Sequence, residues 1–198
     1  MGGYHGAKPR RFQEFYDFLN YNQIPELLNI LNVKYVLYES DKGLSPLINE
    51  EAMGNAWFVD SIIKADSADK ALALLKTINF KNEIIVEEDA AFDALNGNIK
   101  DQNASIDLIR NSPNKLEYLF ESESNQTVVF SEIYYPKGWK AKIDGKSVKH
   151  YRVNYILRAL TTRCEKDDFV ESGFHSMYDF QNLDGLHFLL IFYVISLY

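Results

Sequence analysis

Apolar residues recur at helical spacing near the start of the chain. Phe12, Phe15, Tyr16 and Leu19 fall at i, i+3, i+4 and i+7, and after a polar break at 20–22 the pattern restarts with Ile24, Leu27, Leu28 and Leu31. This predicts a helical hairpin, with Pro25 tolerated in the first turn of the second helix, where its missing N–H has no intrahelical partner to lose. Residues 34–38 are aromatic and β-branched and predict a strand, after which 43–46 read as loop. Residues 56–63 predict a second strand. Asp66 or Ser67 can then cap a helix whose Ala68, Ala71, Leu72 and Leu75 share one face. A third strand at 83–87 and a short helix at 89–95 complete a small α/β layer over residues 1–100.

Beyond the polar stretch 97–103 the period of the apolar positions drops from 3.6 to 2, so the reading changes to β-structure. Leu116, Tyr118 and Phe120 alternate with Glu117, Leu119 and Glu121, and 127–135 form another strand. Trp139, Ala141 and Ile143 alternate with Lys140, Lys142 and Asp144, ending at Asp144-Gly145, a pair suited to a type I′ turn because both central residues take positive φ. Tyr151, Val153, Tyr155 and Leu157 alternate with Arg152, Asn154, Ile156 and Arg158 as one further strand. The predicted class is therefore α+β: an N-terminal α/β layer over 1–100, then an antiparallel, jelly-roll-like β-sandwich over 101–160. Residues 161–198 lack clean alternation, so the sandwich reads as unfinished by at least one strand and the tail as divergent.

Composition narrows the function without naming it. The chain has 198 residues, 46% of them hydrophobic and 25% charged, which fits a folded globular protein. Its 28 acidic and 21 basic residues leave a net charge of -7, which disfavours a broad basic face for nucleic acid. Cys164 is the one cysteine, so no internal disulfide framework is expected. The N-terminus lacks the apolar core of a secretory signal, and no run of about 18 apolar residues is present to cross a bilayer. The nearest approach is 186–198, interrupted by His187.

Two clusters carry candidate chemistry. Tyr4, His5, Lys8, Arg10 and Arg11 put donors and fixed positive charges beside a helix start, suited to a lipid phosphate or diphosphate and equally to a solvated basic terminus. Tyr134, Tyr135 and Trp139 flank Pro136-Lys137-Gly138, a stiff turn that presents aromatic faces and a lysine, as sugar-binding surfaces do. Trp139 is in phase with Ala141 and Ile143, which argues for core, so Tyr135 and Lys137 are the better contact residues. Glu132 lies between apolar neighbours and needs a partner if buried, with Arg152 or Arg158 available and a general-acid role as the sharper alternative. Glu87, Glu88 and Asp89 precede a helix and suit its N-terminal dipole better than a metal. His5, His150, His175 and His187 show no metal-ligand spacing, and no nucleophile elbow, Walker loop or dinucleotide turn is present. No catalytic residue, metal ligand or cofactor is expected.

Four segments together resemble a known family. They are Gly3-Tyr4-His5-Gly6-Ala7-Lys8, Leu31-Asn32-Val33-Lys34-Tyr35, Gly54-Asn55-Ala56-Trp57-Phe58-Val59, and the run from Phe130-Ser131-Glu132 through Pro136-Lys137-Gly138-Trp139-Lys140-Ala141. In this order they resemble the C-terminal extracytoplasmic region of YfhO-like bacterial membrane proteins of the Bacteroidetes type, which are similar to GT-C glycosyltransferases. The resemblance implies a non-catalytic portion at the extracytoplasmic face of the inner membrane, with a cell-envelope glycan or lipid-linked sugar as partner and membrane contact through the parent's other segments. It also implies that the catalytic, membrane-embedded half would precede Met1. The chain then reads as a gene fragment whose residues 161–198 come from a shifted frame or a rearrangement. A free-standing carbohydrate- or envelope-binding module and a fragment without a ligand are the competing expectations.

Overall fold

The computed structural model describes residues 9–41, 43–97, 101–112 and 115–162, together with the backbone of 174–182. Tyr4, His5, Lys8, Cys164 and the apolar run 186–198 lie outside the described residues. The chain divides at Gly54/Asn55 into two compact units, not at the polar stretch 97–103 where the hydrophobic period changes.

In the first unit, α1 (Arg10–Asn22) buries Phe12, Phe15 and Leu19, as the periodicity predicts. It ends at Gln23, whose left-handed backbone (φ 52°) lets its N–H return 2.8 Å to the Leu19 carbonyl. After Pro25, the short α2 (Glu26–Ile30) buries Leu27 and Ile30, and Leu31 and Val33 complete this core. β1 (Tyr35–Ser40) then pairs antiparallel with β2 (Gly43–Ile48), from Tyr35↔Ile48 to Ser40↔Gly43. The loop expected at 43–46 is thus a strand. Gly43 takes the turn conformation at φ 95°, and a two-stranded ribbon is all edge, where the missing N–H of Pro46 is tolerated.

The second unit opens with β3 (Ala56–Val59) and β4 (Ser61–Lys64), which the sequence reading joins into one strand. They part at Asp60, where the N–H groups of Asp60 and Ser61 both donate to the Asn82 carbonyl. α3 (Ala68–Leu74) is capped by Ser67, whose Oγ accepts the Lys70 N–H at 3.2 Å. It connects β4 to the parallel β5 (Glu83–Val86), and α4 (Asp89–Leu95) follows.

The remaining elements are β6 (Ser105–Ser112), β7 (Lys115–Ser122), β8 (Thr127–Ile133), β9 (Trp139–Ile143), β10 (Lys146–Val148), β11 (Tyr151–Val153), β12 (Leu157–Thr161) and β13 (Phe174–Asn182). They build a five-stranded sheet, β10-β9-β13-β7-β6, and, with β3, a four-stranded sheet, β11-β12-β8-β3. Both sheets contribute to one core of Phe58, Leu116, Tyr118, Phe120, Val128, Phe130, Ala141, Ile143 and Leu160. The class is α+β with antiparallel sheets packed face to face, and one of the sandwich strands, β3, comes from the segment expected in the α/β layer. The strand that the sequence reading leaves missing is β13, which pairs with β7 on one side and β9 on the other.

Asp144 and Gly145 take φ 49° and 78°, as the expected turn requires. The strand predicted across 151–157 is instead a hairpin. Asn154 and Tyr155 turn the chain with φ 46° and 71°, so β11 and β12 pair from Val153↔Leu157. Asn154 extends the neighbouring ladder: its N–H donates to the Ile85 carbonyl and its Oδ1 accepts the Ile85 N–H, both at 2.9 Å and fully buried. Replacing Asn154 by Ala removes that acceptor and places a residue that disfavours left-handed backbone at the turn. A loss of about 2 kcal/mol is expected, read as a lower urea midpoint.

Candidate functional site

The site grows out of an irregularity in β8. Pairing with β12 jumps from Ile133↔Leu157 to Phe130↔Arg158, so Ser131 and Glu132 have no registered partner across the ladder. A bulge of this kind re-aims side chains. Arg158 is 1% exposed, an arginine inside a run of buried apolar residues. Its Nη2 donates to the Ile133 carbonyl at 3.1 Å and lies 3.7 Å from Glu132 Oε2, while its guanidinium stacks 4.7 Å above the Trp139 ring. Arg158, of the two candidates, is therefore the partner of Glu132.

Each charge reflects this setting. Burial pulls Arg158 down to about 10 against the opposing pull of Glu132 and Tyr118. The Glu132 side chain keeps 42% of its exposure, yet loss of hydration on its inner side raises its pKa, with Arg158 opposing. Tyr118, packed edge-on against Phe130 at 5.0 Å, is raised by burial and then by Glu132. His150 is 8% exposed, meets the Trp139 carbonyl through Nε2 at 3.2 Å, and packs edge-on against Tyr134 at 5.3 Å. Burial first and Arg158 second lower it to about 4.

The turn at 134–139 sits on this base. The Tyr135 carbonyl accepts from Gly138 and Trp139 N–H at 3.3 and 3.1 Å, and the Tyr134 N–H donates to Ile156 at 2.7 Å. Pro136 and Lys137 are exposed, and Tyr134 and Tyr135 are half-buried. Trp139 packs against the sandwich core and has one ring face over Arg158, so it fixes the turn from below more than it offers a platform. Arg152 lies 5.6 Å from the Tyr134 ring centroid and reaches Glu88 at 3.4 Å and Glu87 at 3.9 Å. The acidic run before α4 thus serves more than the helix dipole: Glu87 and Glu88 face Arg152, and Asp89 pairs with Lys64 at 2.5 Å.

Tyr135, Lys137 and Trp139 are brought together in one turn. Arg10 and Arg11 belong to the first unit, where Arg10 Nε pairs with Glu14 at 2.7 Å on the α1 surface, giving one charge of the expected anion cluster a carboxylate. His150 and Tyr118 join the site through tertiary packing, which no local sequence pattern signals. A signal for Arg158 existed, since Ile156 and Leu160, in the same phase, are both apolar. Among the described residues no group of three or more His, Cys, Asp or Glu is placed to hold a metal ion, and no helix is long and apolar enough to cross a membrane. The arrangement is suited to binding: a stiff turn with aromatic sides, an exposed lysine and a half-exposed carboxylate at its foot. No protein-family model, curated protein or solved structure matches this chain.

Proposed function

We propose that the chain is a non-catalytic accessory portion of a YfhO-like membrane glycosyltransferase, positioning a cell-envelope glycan or lipid-linked sugar at the extracytoplasmic face. The sequence resemblance supplies the parent, and the 134–139 turn supplies the glycan. The observation that carries the reading is that the half-buried Tyr134 and Tyr135 lead into an exposed lysine on a turn whose far side is held by the Arg158–Trp139 stack. Sugars present apolar C–H faces and hydroxyl rims, and a stiff aromatic turn with a polar group at its tip complements both without a large ordering cost.

The test is titration of the full chain with soluble peptidoglycan fragments, polygalacturonate and dextran. Binding to at least one with Kd about 1 mM or tighter is expected. Tyr135→Ala and Lys137→Ala should each weaken it about fivefold while leaving the thermal transition in place. No affinity for any of the three rejects the reading, and glycosyl transfer with turnover by the purified chain rejects its non-catalytic part.

A further inference from the structure

Positive charge is concentrated in one part of this acidic chain. Between residues 137 and 158 stand seven cations, Lys137, Lys140, Lys142, Lys146, Lys149, Arg152 and Arg158, against the single carboxylate of Asp144. All other positions together hold fourteen basic and twenty-seven acidic residues.

The fold brings the exposed lysines of this segment to one border of the sandwich. β9 sends Ala141 and Ile143 into the core, so Lys140 and Lys142 stand on the outer face, about 7 Å apart along the strand. β10 is the terminal strand of the five-stranded sheet and carries exposed Lys146, which pairs with Ile143 and so stands at the rim on the other side of the sheet from Lys140 and Lys142. The chain then passes through Lys149 and His150 into β11, the terminal strand of the four-stranded sheet. Lys149 Nζ sits 4.7 Å above the Tyr151 ring. His150, bonded to the Trp139 carbonyl and packed on Tyr134, fastens this corner to the 134–139 turn. Acidic residues on this border are Asp144 at the β9–β10 turn, Glu132 at the bulge, and Glu87 and Glu88, which pair with Arg152, while position 179 of β13, an aspartate, lies in register with Lys142.

We propose that this lysine border and the adjoining aromatic turn bind a polyanionic polysaccharide, one bearing carboxylate or sulfate groups along its length. The inference rests on the glycan-binding reading and names the class of glycan. Charge complementarity selects the partner. A linear polyanion one chain wide can follow the border and stack a sugar ring on Tyr135, whereas a bilayer or a nucleic-acid duplex presents a broad negative surface to a protein whose other residues are strongly acidic.

The experiment compares polygalacturonate, heparin and uncharged dextran as ligands of the full chain, at about 50 mM and about 200 mM salt. Vesicles of equal parts phosphatidylcholine and phosphatidylglycerol, and duplex DNA, serve as competitors. Binding to one or both polyanions that weakens with salt is expected. It should fall about fivefold at the lower salt in Lys140→Gln/Lys149→Gln, and should be unchanged in Lys76→Gln/Lys81→Gln, which removes the same charge elsewhere. Salt-independent binding of dextran equal to that of the polyanions overturns this inference and leaves the glycan-binding reading standing. Binding to none of the three overturns this inference, and no binding to soluble peptidoglycan fragments either overturns both. Equal loss in the two double variants, or vesicles or DNA bound as tightly as the polyanions, also overturns it.

Discussion

Arg158→Ala is expected to destabilise the second unit by about 3 to 5 kcal/mol, the largest single effect in the molecule. The substitution takes the donor from the Ile133 carbonyl, the charge from Glu132 and the stacked cation from Trp139, and it empties a fully buried volume between the sheets. Glu132 is the more forgiving partner, because its half-exposed carboxylate can turn to water. Arg158→Lys should recover little, since a point charge on a flexible stem cannot both lie flat on the indole and reach the carbonyl. The double variant Arg158→Met/Glu132→Leu should lose less than its single changes sum to, with about 1 to 2 kcal/mol of coupling. Trp57 and Trp139 both lie in the second unit, so tryptophan fluorescence during urea unfolding reads this transition directly. A midpoint for Arg158→Ala within about 1 kcal/mol of the parent would refute a guanidinium that organises the bulge.

The elements legible in the sequence are those whose local chemistry and tertiary role agree. Phe12, Phe15 and Leu19 lie on one face of α1 because the face they make is the one buried, Ser67 caps α3, and Asp144-Gly145 turns β9 into β10. Misreadings occur where a tertiary partner overrides the local pattern. Asp60 breaks an unbroken apolar run because its backbone and that of Ser61 are claimed by Asn82, which sends β3 and β4 to different sheets. Asn154 and Tyr155 alternate correctly for a strand, yet Asn154 finds its partners on Ile85 and the chain turns there. β6 has a short alternation, Ile106 and Leu108 against Ser105 and Asp107, that the register shift at Leu108/Arg110 breaks after two core positions, and β13 draws its place from β7 and β9 on either side.

The site was half legible for a related reason. The aromatic turn could be found because proline, glycine and three aromatics are local features. The pairing of Glu132 with an arginine followed from the cost of burying a lone carboxylate, but the choice of Arg158 over Arg152 depended on the bulge, which is a property of two strands. Alternation along 151–158 groups Arg158 with the polar residues, yet within β12 it shares the phase of Leu160 and pairs with Phe130, both in the core, and so faces inward with them. Arg152 goes instead to Glu87 and Glu88, which ties the helical part of the second unit to the Tyr134 side of the turn.

Acidification from about pH 7 to about pH 5 is expected to cost the second unit about 2 kcal/mol through His150 alone. The imidazole is held at about 4 in the folded chain against an ordinary value of 6.5, because a proton there would sit out of water and close to Arg158. Above pH 6.5 it is neutral folded and unfolded, and contributes no slope. Between about 6.5 and about 4 the unfolded chain takes up a proton that the folded chain refuses, so stability falls with pH until the folded value is reached, about 3 kcal/mol in all. Glu132, raised by burial, works in the opposite direction as pH falls through its folded value, so the His150 contribution is the difference between parent and His150 variant. The lowered carboxylates of Asp66, Asp101 and Glu117 give up their contribution further down, as pH drops below their ordinary range. His150→Gln keeps a donor for the Trp139 carbonyl without a titrating ring, so its urea midpoint, followed by tryptophan fluorescence, should change far less than the parent's between about pH 7 and about pH 5. Parallel slopes for parent and variant over that window would place the titrating group elsewhere and remove His150 from the base of the turn.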